Sequence, residues 1–195
     1  MTLAQVDLAP PMPAEIAALH DGGEPVWIFA YGSLLWDAEL CDAATEPALL
    51  YGYHRSFCLL SYDYRGTAAN PGLTLGLDRG GSCRGAALRL RSAALDRIWH
   101  REMSGRVVYA ARLLRVQTAN GTRQALAFTA LRTCADYAGR LSRDEAARII
   151  LGAAGRRGRC RDYFENTLQH LEQLGFADPP LRRLAARVRA LAAHD

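Results

Sequence analysis

Lysine is absent. All 24 basic side chains of this 195-residue chain are arginines. Chemistry that needs a primary amine on a protein side chain goes with it: Schiff-base catalysis, pyridoxal phosphate attachment and a Walker A lysine are excluded. Cysteine is sparse, with residues 41, 58, 83, 134 and 160 far apart, no C-x-x-C and no histidine at zinc-ligand spacing. They read as free thiols of a reducing cytosol, so neither a disulfide framework nor a metal site is expected. No apolar run approaches the roughly 20 residues that span a bilayer, and no membrane partner is expected. Met1 to Pro13 holds Asp7 and no early basic residue, unlike a secretory leader, so the expected location is cytoplasmic. Charge excess is small as well. A net +4 and a pI near 8.9 on mostly scattered arginines give little reason to expect a nucleic-acid partner. No internal repeat is visible, and no signal sets an oligomeric state.

What is present is enough apolar surface for a core, since half the residues are hydrophobic and 23% are charged. Residues 1–25 read as an Ala/Pro-rich arm, with a helical turn or two around Glu15 to His20, and residues 26–195 as one domain. Val26 to Ala30 is a continuous apolar run, the pattern of a buried strand. Leu49 to Tyr62 reads as one or two strands. Leu73 to Leu77 and Cys83 to Leu90 read as strands joined by turn chemistry at Asp78 to Ser82, which predicts a hairpin. A helix is expected from Ser92 to about Met103, closed by Gly105. Two strands follow around the Asn120-Gly121 hairpin signal. Ser142 and Glu145 form a capping box before a third helical segment. Gly152 to Arg161 reads as a linker, and two more helices follow, one stopped by Gly175 and one started by Asp178-Pro179-Pro180. Strands first and helices last predict an α+β fold: a small mixed, mainly antiparallel β-barrel with flanking helices, the C-terminal ones packed outside.

One side chain stands out. Leu95, Ile98 and Trp99 share a stripe at helical spacing, and Glu102 falls in the middle of it. A carboxylate there is either ion-paired, emerging into solvent at the last turn, or a general acid/base whose pKa is raised by apolar walls. Arg101 beside it does not share its face on a regular helix. A second feature is the Gly-Ser turn after the first strand, whose backbone N–H groups suit an anion or oxyanion. Ser33 lacks the G-x-S-x-G elbow of a serine nucleophile. Tyr109 and Tyr137 are either core aromatics or caps for a polar ligand.

The segments FAYGSLLW (29–36), LTLGLDRGGSCRGAALRL (73–90), HREM (100–103), YAGRLS (137–142) and the G-x-x-G-x-x-x-D-Y-F stretch from Gly155 to Phe164 occur in one order. In this the sequence resembles the ChaC-type, glutathione-specific gamma-glutamylcyclotransferases, from about residue 26 to 190. The resemblance implies a lyase that closes the gamma-glutamyl group of glutathione into 5-oxoproline and releases cysteinylglycine, with no cofactor and no metal. It places the catalytic glutamate at Glu102 and the substrate loop at Ala30, Tyr31, Gly32, Ser33, Leu34 and Leu35. Ala30 stands where glycine is common in that family. Tyr109 and Tyr137 match cleft tyrosines, and Arg79 is a partner for a substrate carboxylate or a surface hairpin arginine. Two other readings stay open: the same chemistry on another gamma-glutamyl amine or amino acid, and a non-catalytic barrel that binds a small acidic ligand.

Overall fold

The computed structural model of the chain describes residues 9–22, 25–40 and 43–193. The arm residues 1–8 and Cys41 lie outside them. Among the described residues, five strands close a barrel: β1 (Val26–Ala30), β2 (Ala44–Ser61), β3 (Gly72–Leu90), β4 (Tyr109–Thr118) and β5 (Gly121–Ala130), in the order β1-β3-β2-β4-β5. Each neighbouring pair is antiparallel except the closing one, where β1 runs parallel to β5 at Ile28 and Leu126. The helices are α1 (Ala14–Asp21), α2 (Ser92–Met103), α3 (Arg143–Gly152), α4 (Cys160–Gln173) and α5 (Pro179–Ala192). The expected α+β barrel with outer C-terminal helices is the observed architecture. None of the helices is long and apolar enough to cross a membrane.

The expected hairpin at Asp78 to Ser82 does not form. Leu73 to Leu77 and Cys83 to Leu90 lie end to end in one strand, both paired with β2. A hairpin would have paired those halves with each other, but β2 is long enough to hold both. Gly80 and Gly81, with φ of +107° and +68°, absorb a register shift opposite Gly52, so the turn residues make a bulge. The Gly/Arg stretch is not a bare linker either. Ala154–Gly155 (β6) and Gly158–Arg159 (β7) pair as a short two-stranded ladder. Its Arg156 and Arg157 amides donate to the Asp63 and Tyr64 carbonyls, which pins it to the barrel.

Two faces of the barrel carry apolar layers. On one, α2 buries Leu95, Ile98, Trp99 and Met103 against Ile28, Leu126 and Phe128, with Ile16 of α1 in the same cluster. Each such side chain contributes about 1.5–3 kcal/mol when removed from water. Trp99 Nε1 also donates to the Pro10 carbonyl at 2.7 Å, tying the segment before α1 to α2. The other layer packs α3, α4 and α5 on Phe57, Leu73, Leu75 and Leu77. Asn120-Gly121 makes the β4–β5 turn, with Thr118 opposite Gly121. Gly175 follows α4 with φ +74°.

The Ser142 capping box is complete. Ser142 Oγ accepts from the Glu145 amide at 3.2 Å, and Glu145 Oε2 accepts from the Ser142 amide at 2.8 Å. Ser142→Ala removes one of these bonds at an exposed helix start. It is expected to lower stability by about 1 kcal/mol in urea unfolding, with the slope of the transition unchanged.

Candidate active site

β1 delivers the chain into the site. Its last residue, Ala30, is buried, and Tyr31 and Gly32 then lead into a 3-10 turn over Ser33–Trp36. The first amides of such a turn have no partner within it and are free to face a ligand. Two contacts hold the entrance. Tyr31 Oη donates to the Phe128 carbonyl at 2.8 Å, and the Tyr31 carbonyl accepts from Arg55 Nε at 2.6 Å. Arg55 is buried on β2. Its guanidinium also donates to the Arg84 carbonyl and lies 3.5 Å from Asp178. Gly32 sits close to β3, where an added Cβ would come within 3.0 Å of Leu75 Cδ2.

Tyr31, Gly32, Ser33 and Leu34 line a small cavity of about 30 Å³ with Leu75, Glu102, Tyr109, Phe128 and Tyr163. The backbone of Leu75 anchors two of its tyrosines. Tyr109 Oη donates to the Leu75 carbonyl at 3.1 Å, and Tyr163 Oη accepts from the Leu75 amide at 3.4 Å. Burial raises the pKa of Tyr31, Tyr109 and Tyr163, so all three hydroxyls keep their protons at neutral pH. Tyr31 and Tyr109 spend theirs on backbone carbonyls. The Tyr163 hydroxyl, which accepts from the backbone, retains a proton to donate to a bound group.

Glu102 faces this cavity with 15% of its side chain exposed. Burial pushes its pKa up, Arg101 pulls it down, and Asp37 pushes it up again, with burial dominant. Its place in the last turn of α2, near the negative end of the helix dipole, acts in the same direction. Arg101 is closer than regular helix geometry implies. Its Nε lies 3.2 Å from Glu102 Oε1, its Nη2 donates to Ser33 Oγ at 2.7 Å, and its Nη1 pairs with Asp37. The reach of the arginine side chain brings neighbours together that the helix wheel separates. One cation and two carboxylates leave this cluster negative when Glu102 is ionised, which favours an incoming ammonium.

Arg101→Met tests that balance. With Glu102 as the proton acceptor, only its carboxylate form works, and activity is expected to fall as pH drops through its raised pKa. Removing the cation raises that pKa further, and the acid limb of the kcat/KM profile is expected to move to higher pH. An unmoved limb would mean that Arg101 does not set the charge of Glu102.

The other sequence-derived positions are placed as follows. Ala30 and Leu35 border the loop without lining the cavity. Arg79 and Tyr137 line a different, larger cavity, whose walls share no residue with the first. Arg55, Arg101 and Tyr163 were not singled out by sequence reasoning. Tyr163 had a signal, standing beside Phe164 in the D-Y-F segment; Arg101 had its adjacency to Glu102, set aside on helix geometry although the side chain reaches it; Arg55 acts through partners far away in sequence and had none.

The closed barrel thus places one largely buried carboxylate, Glu102, and a glycine-serine loop on the wall of the same small cavity. The family model described as ChaC-like protein matches residues 26–191, and the chain belongs to that family. It is 34% identical over 188 residues to the glutathione-specific gamma-glutamylcyclotransferase of Escherichia coli, covering 93% of this chain and 80% of that protein. It is 30% identical over 176 residues to gamma-glutamylcyclotransferase 2-3 of Arabidopsis thaliana, covering 84% and 88%. The crystal structure of a yeast gamma-glutamyl cyclotransferase specific to glutathione shares the fold. Its TM-score is 0.75 at 18% identity, over 86% of this chain and 96% of that one.

Proposed function

We propose that this protein is a lyase that cyclises the gamma-glutamyl group of glutathione, releasing 5-oxoproline and cysteinylglycine. The observation that carries the reading is Glu102 facing the Gly32–Ser33 loop across one cavity, in a chain of the ChaC-like family. The α-amine of the gamma-glutamyl group attacks its own γ-carbonyl carbon. A C–N bond closes the five-membered lactam, and the bond to the cysteinyl nitrogen breaks. Because the attack is intramolecular, the site mainly has to hold the substrate folded.

The amine arrives as an ammonium. Glu102 accepts its proton and returns one to the departing nitrogen. A raised pKa suits both halves of that cycle. Charge that develops on the γ-carbonyl oxygen meets the amides at the start of the 3-10 turn and the Tyr163 hydroxyl. Tyr31, Gly32, Ser33, Leu34 and Tyr109 shape the pocket around the gamma-glutamyl group, with Ala30 and Leu35 supporting the loop. Assigning Arg79 and Tyr137 to the substrate requires its dipeptide half to reach the second cavity. The reaction uses no metal or cofactor, and the reading places it in the cytoplasm.

Incubation of the purified protein with glutathione tests this. Equimolar 5-oxoproline and cysteinylglycine, read by mass spectrometry, are expected. Turnover of other gamma-glutamyl amines or amino acids with glutathione inert would move the reading to that substrate class. Saturable binding of glutathione without turnover would leave a binding barrel.

A further inference from the structure

The second cavity, about 660 Å³, lies between the middle of β2 and β3, the segment after β5, and the first turns of α3 and α5. Its volume is that of an ordinary small-molecule site. Five arginines, residues 55, 79, 132, 140 and 143, face it, against one carboxylate, Asp78. That carboxylate is already engaged. Asp78 accepts from Arg132 Nε at 2.7 Å and from Tyr137 Oη at 2.9 Å, which makes a fixed wall. Arg79, Arg140 and Arg143 are exposed on its wall and form no salt bridge among the described residues, so the cavity carries an excess of positive charge.

The wall is shaped by the β3 bulge. Arg132 Nη2 donates to the Arg79 carbonyl at 3.1 Å, and His54 Nδ1 donates to the Gly80 carbonyl at 2.9 Å. These contacts fix the backbone that carries Arg79. Behind the cations lies an apolar floor of Phe57, Leu141, Ala146, Leu181 and Leu184. The bond-making and proton-transfer steps proposed above use none of these side chains.

We infer that this cavity binds a small polyphosphorylated molecule. Its phosphates would sit on the Arg79, Arg140 and Arg143 forks, with any organic body against the apolar floor. Several charges along one ligand match separated guanidiniums better than a single carboxylate does, and each guanidinium can take a phosphate bidentately. Arg55 lines the cavity while its Nε holds the Tyr31 carbonyl, so an occupant lies one side chain away from the loop of the first cavity.

Calorimetry on the full chain at physiological ionic strength, without glutathione, tests the inference independently of the proposed reaction. ATP, inorganic triphosphate and glutathione disulfide are titrated in turn, with Arg140→Glu/Arg143→Glu as the variant. Both positions are exposed, and the melting temperature checks that the variant is folded. Saturable binding of ATP or triphosphate, weakened at least tenfold in the variant, is the expected result. Tighter binding of ATP than triphosphate assigns the floor to the base; equal binding assigns the site to the phosphates alone. No saturable binding of either phosphate, equal affinity in the variant, or binding of glutathione disulfide alone would overturn it.

Discussion

Glu102→Gln is expected to lower kcat on glutathione by about 10²–10⁴-fold while leaving the fold no less stable, and that pairing is what marks a working group. Glutamine keeps the volume and the hydrogen-bonding shape but can neither take nor return a proton. The stability half follows from linkage. Burial outweighs Arg101, so the folded protein holds the Glu102 proton more tightly than the unfolded chain does. The stability contributed by this group is present below the ordinary carboxylate pKa and is lost as pH rises through the raised value. At neutral pH the ionised carboxylate is therefore a burden on the fold, and glutamine lifts it. Thermal unfolding at pH 7 and pH 4.5 separates the possibilities: the variant gains on wild type at the higher pH and the gap narrows at the lower. A variant that melts well below wild type at pH 7 would make the Arg101–Glu102 pair a structural one.

Gly85→Ala carries the second large effect, on stability. Gly85 lies on β3 opposite Ala48, and a Cβ there would fall 2.3 Å from the Ala30 carbonyl oxygen and 2.9 Å from Phe29 Cζ. Both belong to β1 and are fully buried, so the backbone itself must give. The expected loss is about 1–3 kcal/mol or more. Tyr31 and the loop begin at the next residue, so kcat is expected to fall with it. Gly121→Ala is the control. It needs φ +107° but has open space around its Cβ, at the far β4–β5 turn. Its cost, about 1–2 kcal/mol, is conformational, and kcat should not change. Equal losses of kcat in both variants would detach the loop from the β1–β3 contact.

The parts of this fold that were legible in sequence are those whose cause is local. Val26 to Ala30, the Asn120-Gly121 turn, the Ser142 box and the Gly175 stop are each decided within a few residues. Glu102 was legible for the same reason, since a helix stripe needs only its own spacing. The continuity of β3 was not legible, because turn residues and bulge residues are the same amino acids. Only the length of the partner strand decides between them. The β6–β7 ladder likewise exists through its bonds to Asp63 and Tyr64, far back in the chain. At the site, Tyr31, Gly32, Ser33, Leu34 and Tyr109 converge as the segment reading implied. Arg79 and Tyr137 lie apart from them, on the wall of the second cavity, where Tyr137 donates to Asp78 beside Arg79.

The parallel contact that closes the barrel has a kinetic consequence. Tyr31 Oη reaches the Phe128 carbonyl across 97 positions of sequence, beside the Ile28–Leu126 pairing. Closing such a long-range junction costs more chain entropy than forming the intervening hairpins, so it is expected to form after them. The loop after β1 hangs on that junction. Refolding protein is therefore expected to regain far-UV secondary structure before it regains binding at the pocket, with the last seam of the barrel and the pocket maturing together; pocket binding that returns as fast as secondary structure would overturn this.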